Sequence, residues 1–314
     1  MTEMRLQRIK YIRQWRLDSL PENLVFPAEK ALVEQIHKNS SRFFMSFAFP
    51  YAEHDRYHYY LNFLIEALEL LPLKVDLAFD ACWRAFESLL FEVNLNPKRS
   101  KIQELLSEFC VNYLNNQAST RNEDDLLIAR LIDLVPVQTC EYLAQRLLDE
   151  YDVTKPVGDS KRIVDRLKWS NYNTNFLALL PNIARKYGAP NINPSDLRKA
   201  SLLLRKVLRG NSVSIGTFSG QLTVTERLSL IVLGVVYTAR NDRFHGSMQP
   251  PFKSSVATLR TYAHAHYLYL TSYFLFIKVL YSTGWIALKS DDIKNHLLEN
   301  MYHFQSLYGK HLEK

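Results

Sequence analysis

Near the end of the chain, Arg240-Asn241-Asp242-Arg243-Phe244-His245-Gly246 crowds guanidinium, amide and imidazole groups into one short span. A histidine titrates near neutrality, so His245 is suited to take or give a proton at physiological pH. An arginine presents a planar fork of donors that matches phosphate oxygens, which is the role open to Arg240. Asn241 and His245 are four apart and share a helical face. Arg240 is five from His245, and on a regular helix the two side chains diverge by about 140°. A single helix therefore does not aim both at one atom. Helix C-termini also favour arginine and histidine through the helix dipole, so a capping role needs no chemistry at all.

The surrounding elements say where this cluster sits. Residues 228–237 are apolar except for Ser229, while Gly246 and the pair Pro250-Pro251 follow the cluster. A glycine just past the last periodic residue, with prolines close behind, reads as a helix C-terminus. Thr223 and Glu226 have capping-box spacing and mark where this helix begins, after a polar, glycine-containing loop at 210–220. Hydrophobic periodicity predicts further helices at 3–17, 27–37, 52–71, 74–93, 98–115, 124–135, 140–150, 161–169 and 194–209. It also predicts one at 171–186 interrupted near Pro181, a long one at 252–283 and a terminal one at 291–311. No segment reads convincingly as a strand. The predicted fold class is all-α, a multi-helix bundle.

Arg-Asn-x-x-x-His at the end of an apolar helix in an all-α chain resembles the signature of HEPN domains, an all-α family with many metal-independent ribonucleases. The likeness covers this short motif and its helical setting. It implies a catalytic set of Arg240, Asn241 and His245 acting on single-stranded RNA, with the 2′-hydroxyl as internal nucleophile; DNA lacks that group and is spared. It further implies that the stretch 80–90 is the first helix of the domain, with Glu87 facing the site. Glu87 and Arg243 are the expected substrate-binding residues, although Glu87 reads equally well as an ordinary surface carboxylate. Asp242 is expected to pair with Arg243 or face solvent. The resemblance also implies a homodimer in which two such helix ends meet, with an interface at the motif helix and the helix 252–283. The expected division is an N-terminal helical region at 1–71 and a HEPN-like domain at 72–314 with a helical insertion at about 120–210. A role in phage defence or a toxin-like stress response follows, and a regulatory partner protein fits such a role. Ser247 stands where the compact toxins of toxin–antitoxin pairs carry a tyrosine, so an antitoxin that modifies that tyrosine is not expected. Two other readings stay open: a non-catalytic module that binds RNA or nucleotide, and a helical interaction protein.

Composition bounds these readings. With 47% hydrophobic and 23% charged residues over 314 positions, the chain can bury a sizeable core and is not disordered. The net charge of +7 is compatible with a polyanionic partner, and the basic residues cluster at 5–16, 98–101, 161–168 and 198–209. Cys82, Cys110 and Cys140 lie far apart in apolar surroundings and read as core residues rather than a zinc or disulfide framework. His54 and His58 have metal-compatible spacing but no third ligand, and a helix face explains them better. His264 and His266, two apart, cannot share a helical face, and core and surface positions explain them better. No metal or cofactor is expected. The N-terminus has no secretion signal, which points to the cytoplasm. Residues 267–288 are long and apolar, but Lys278 sits near their middle, and a buried core helix is expected there rather than a membrane span.

Overall fold

The computed structural model describes residues 26–39, 42–50, 54–94, 101–115, 121–148, 157–169, 172–188, 192–246 and 250–313. The predicted basic helix at 3–17 lies outside them. Among the described residues the architecture is all-α, with one small hairpin. The helices are α1 Pro27–Asn39, α2 Asp55–Leu70, α3 Val75–Glu92, α4 Ile102–Asn115, α5 Arg121–Asp133, α6 Val137–Leu148, α7 Gly158–Lys168, α8 Thr174–Tyr187 and α9 Pro194–Leu208. After the hairpin come α10 Val224–Ser229, α11 Tyr237–Phe244, α12 Leu259–Thr283 and α13 Ser290–Tyr308.

α12 is the axis of the molecule. Thr258 and Thr261 close a capping box at its start, and Gly284 ends it at φ 67°, a left-handed conformation that suits glycine. Its residues from Tyr262 to Leu280 are all buried, so the helix is enclosed on every side by its own chain. Its closest neighbour is α3, which contributes Phe79, Cys82, Trp83, Phe86 and Leu89 to the shared core. This is the core helix expected from the sequence, and no helix among the described residues is long and apolar enough to cross a membrane. Within the range 252–283 expected at a dimer interface, residues 262–280 are buried by the chain itself, while Lys253 and Val256 are exposed. His264 and His266 are both buried, where a split between core and surface was expected. Their opposite directions find partners on two sides. His264 meets the Thr139 hydroxyl at 2.9 Å, and His266 stacks on Phe43 with ring centroids 4.0 Å apart.

Three local features depart from the periodic reading. The loop at 210–220 contains an antiparallel pair, β1 Val213–Ile215 and β2 Phe218–Gly220. Strands this short give too few alternations to read. The turn between them is pinned from α8, where the Asn182 side-chain oxygen accepts the Thr217 N–H at 3.0 Å. Gly216 sits there at φ 57°, and a Cβ would approach that oxygen to 2.2 Å, so the position excludes any side chain. The second departure is α8 itself, which carries Pro181 in its interior without ending. The third is the motif helix. Between α10 and α11 the residues Leu230–Val236 form a π-helical stretch, entirely buried. The capping box at its start is present as expected, with Thr223 and Glu226 each satisfying the other's backbone.

Candidate active site

α11 is short, and its last turn is held from two sides by charged groups on other helices. His245 is its C-cap, and Gly246 follows at φ 71°, donating its N–H to the Arg243 carbonyl at 3.2 Å. The helix therefore stops where the sequence indicates. The His245 ring is exposed and makes no hydrogen bond among the described residues.

Arg240 lies half-buried against α3. One terminal nitrogen donates to Glu87 at 3.2 and 3.4 Å, and the other donates to the Asn241 side-chain oxygen at 3.1 Å. The guanidinium also lies over the Phe244 ring, 4.3 Å from its centroid. Glu87 is held in turn by the Trp83 indole N–H at 3.0 Å, so its orientation is set from within α3. Glu87 thus does face Arg240, the position anticipated for it. No hydrogen bond joins Arg240 and His245 among the described residues, and a spacing of five turns two side chains about 140° apart on a regular helix.

Arg243, three residues along, is committed to α3 as well. Its Nε and one terminal nitrogen donate to Asp80 at 2.7–2.9 Å, and the other terminal nitrogen donates to Asp76 at 3.1 Å. Burial alone would lower its pKa, but the hydrogen bonds and charge of Asp80, then those of Asp76, more than reverse this. The guanidinium is a bridge between two helices, with its fork filled by carboxylates rather than open to phosphate. Asp242 departs from expectation too. It is buried and turned to the opposite side, accepting from the Tyr142 hydroxyl at 2.6 Å and pairing with Arg146 at 2.8 Å. Arg146 reaches on to Asp159 at 2.7 Å, so α6 and α7 are tied to the motif through Asp242.

Behind this network lies Arg166 of α7, which the sequence reading did not single out. It is buried under the Tyr237 ring and donates to the Thr238 hydroxyl at 2.9 Å, while one terminal nitrogen has no partner among the described residues. Burial pulls its pKa down to about 10 against the opposing pull of Tyr237, Tyr142, Asp159 and Asp242. A sequence signal for the α3 half of the site did exist. Asp76, Asp80 and Glu87 fall on one helical face, and Arg240 and Arg243 fall on another at a spacing of three. Nothing local marks Tyr142, Arg146 or Arg166, because their partners are about 70 to 100 positions away.

His54, one of the histidines with metal-compatible spacing, caps α2 by accepting the Tyr57 N–H and stacks on Trp285. Among the described residues no group of three or more His, Cys, Asp and Glu side chains is placed to hold a metal ion. Comparison with protein-family models, curated proteins and solved structures finds no match to this chain.

Proposed function

We propose that this chain is a HEPN-type, metal-independent endoribonuclease acting on single-stranded RNA, with Arg240, Asn241 and His245 as its working residues. One observation carries the reading: Arg240 is held by Glu87 and Asn241 at a helix end that leaves His245 open to solvent. In the proposed reaction an imidazole removes the proton of a 2′-hydroxyl, and the freed oxygen attacks the adjacent phosphorus. Arg240 donates to the phosphoryl oxygens as negative charge builds, and the leaving 5′-oxygen receives a proton from a protonated imidazole. The products are a 2′,3′-cyclic phosphate and a 5′-hydroxyl. Because Arg240 and His245 of one protomer diverge, the complete set is composite, with the histidine and arginine drawn from two copies. Leu77, Arg84 and Phe91 form an exposed row along α3 at a spacing of seven, Phe244 is exposed on α11, and these residues are the surface proposed for the second copy.

A second reading rests on the occupancy of the arginines. With Arg243 bridging Asp76 and Asp80, and Arg240 on Glu87, the motif also works as a clamp that locks α11 onto α3, without cleavage. Incubation of total RNA with purified protein in the presence of chelator separates the two. Cyclic-phosphate ends that vanish in His245→Ala support the nuclease. Unchanged RNA across a range of protein concentrations supports the clamp.

A further inference from the structure

On elements that carry none of the motif residues, a groove of ≈ 960 Å³ opens between α5, the end of α9 and α13. Its chemistry is divided. Its lining includes the cations Arg130, Arg209 and Lys310 together with the apolar Leu298, Met301 and Leu312 and the ring of Tyr302. Tyr302 is 68% exposed, unusual for a ring with an apolar floor beside it. Arg130 and Lys310 have no ion-pair partner among the described residues, and Arg209 spends only its Nε, on the Asp133 carbonyl at 3.0 Å. Arg205 and Arg227 are more than nine-tenths buried, each with a guanidinium nitrogen lacking a hydrogen-bond partner among the described residues. Both interact electrostatically with the groove, Arg205 through Arg209 and Glu313, and Arg227 through Asp133. Two carboxylates, Asp133 and Glu313, line the groove against this larger set of cations, and burial holds the Asp133 carboxyl above its ordinary value despite Arg227 and Arg209. A buried guanidinium nitrogen with no acceptor is costly, and an anion brought into the groove would add negative charge beside both groups.

We infer that this groove binds an organic phosphate, with the phosphate on Arg130, Arg209 and Lys310 and an aromatic body against Tyr302, Leu298 and Met301. The inference is independent of the ribonuclease reading. A phosphate matches the forked donors of two arginines, and a flat apolar body covers the exposed Tyr302 ring beside the aliphatic lining.

Titration calorimetry of the full chain with naphthyl phosphate, inorganic phosphate and naphthol tests both halves. Naphthyl phosphate is expected to bind saturably at one site, at least tenfold more tightly than either fragment. Arg209→Glu should weaken it at least tenfold, and Tyr302→Ala should weaken it severalfold while leaving inorganic phosphate unchanged. Because Arg209 is partly exposed and Tyr302 exposed, both variants should keep wild-type helical content; Lys310→Glu, at an exposed position, repeats the charge reversal should Arg209→Glu fail to fold. Absence of saturable binding to naphthyl phosphate at millimolar concentration overturns the inference. So does binding that survives both charge reversals, or binding that is lost in Arg240→Ala, since the ligand would then sit elsewhere.

Discussion

At the scale of single residues, the two arginines of the motif look alike in sequence and do different work. Arg240 keeps part of its surface in water and shares its fork between Glu87 and Asn241, so a phosphate can compete for it. Arg243 has each of its three guanidinium nitrogens on Asp76 or Asp80, and all three side chains are only 12–14% exposed. Arg243→Ala should therefore act on stability. It strands two largely buried carboxylates and should cost about 3 kcal/mol, the low end for a broken buried pair because some water still reaches the groups. Denaturant unfolding reads this directly, and a variant as stable as the parent would refute the bridge. Arg240→Ala and His245→Ala should instead abolish RNA cleavage with little change in stability, His245 least of all because it is exposed. Full cleavage by either variant removes the proposed mechanism. The helix end was legible in the sequence because Gly246 and Pro250-Pro251 follow an apolar run, whereas Glu87 rested on the family resemblance and read equally well as a surface carboxylate. The partners of Asp242 were not legible, since a distant tyrosine and arginine on α6 decide which way that carboxylate turns.

At the scale of elements, the feature hidden from the sequence is the π-helical stretch before the motif. A plain α count from Thr223 to His245 gives the wrong phase, because each i→i+5 turn carries an extra residue worth about 100° of rotation. Leu230–Val236 is uniformly apolar, so no polar position betrays the shift. Gly234 lies within it, where a Cβ would come 3.0 Å from a Leu230 methyl and 3.4 Å from a Leu143 methyl on α6. Gly234→Ala should thus press α10–α11 away from α6 and cost about 1–2 kcal/mol through overpacking. The same displacement should loosen the Asp242–Arg146 tie, so RNA cleavage is expected to fall by more than the loss of folded protein. Thermal melting together with activity per folded molecule checks this. A variant with unchanged melting temperature would mean that the leucine tips give way freely. The hairpin β1–β2 was hidden for a different reason. Three-residue strands owe their existence to Asn182 gripping the turn from α8, a tertiary contact with no local trace.

At the scale of the whole molecule, the all-α class was legible because period-3.6 patterns, prolines and glycines agree along most of the chain. What the pattern could not say is which helix lies at the centre. α12 is rich in rings that read equally well as core or as interface, and it is buried by α3, α13 and the extended segment 42–50. The enclosure has a thermodynamic consequence. Burial lowers the pKa of His264 to about 4, His266 to about 3 and His296 to about 4, so all three fold as neutral rings. In the unfolded chain they take up protons near pH 6.5. Between that value and about 4 the unfolded state binds more protons, and stability falls with falling pH by about 1.4 kcal/mol per unit for each ring. Urea midpoints at pH 7 and pH 5 should differ accordingly, and a flat profile would contradict burial of neutral histidine. Because residues 262–280 of α12 are buried, the dimer is proposed on the exposed residues of α3 and α11. Two copies meeting across Leu77, Arg84, Phe91 and Phe244 would bring α3 and α11 of each together, setting His245 of one beside Arg240 of its partner. Phe244→Glu and Phe91→Glu should then yield monomers by light scattering, with cleavage lost and helical content kept. Mixed Arg240→Ala and His245→Ala subunits should recover part of the activity, because one of the two composite sites in each mixed pair is intact. Monomers that cut RNA as fast as the parent would place the whole reaction within one chain, and the divergence of Arg240 and His245 would then require the end of α11 to unwind on binding.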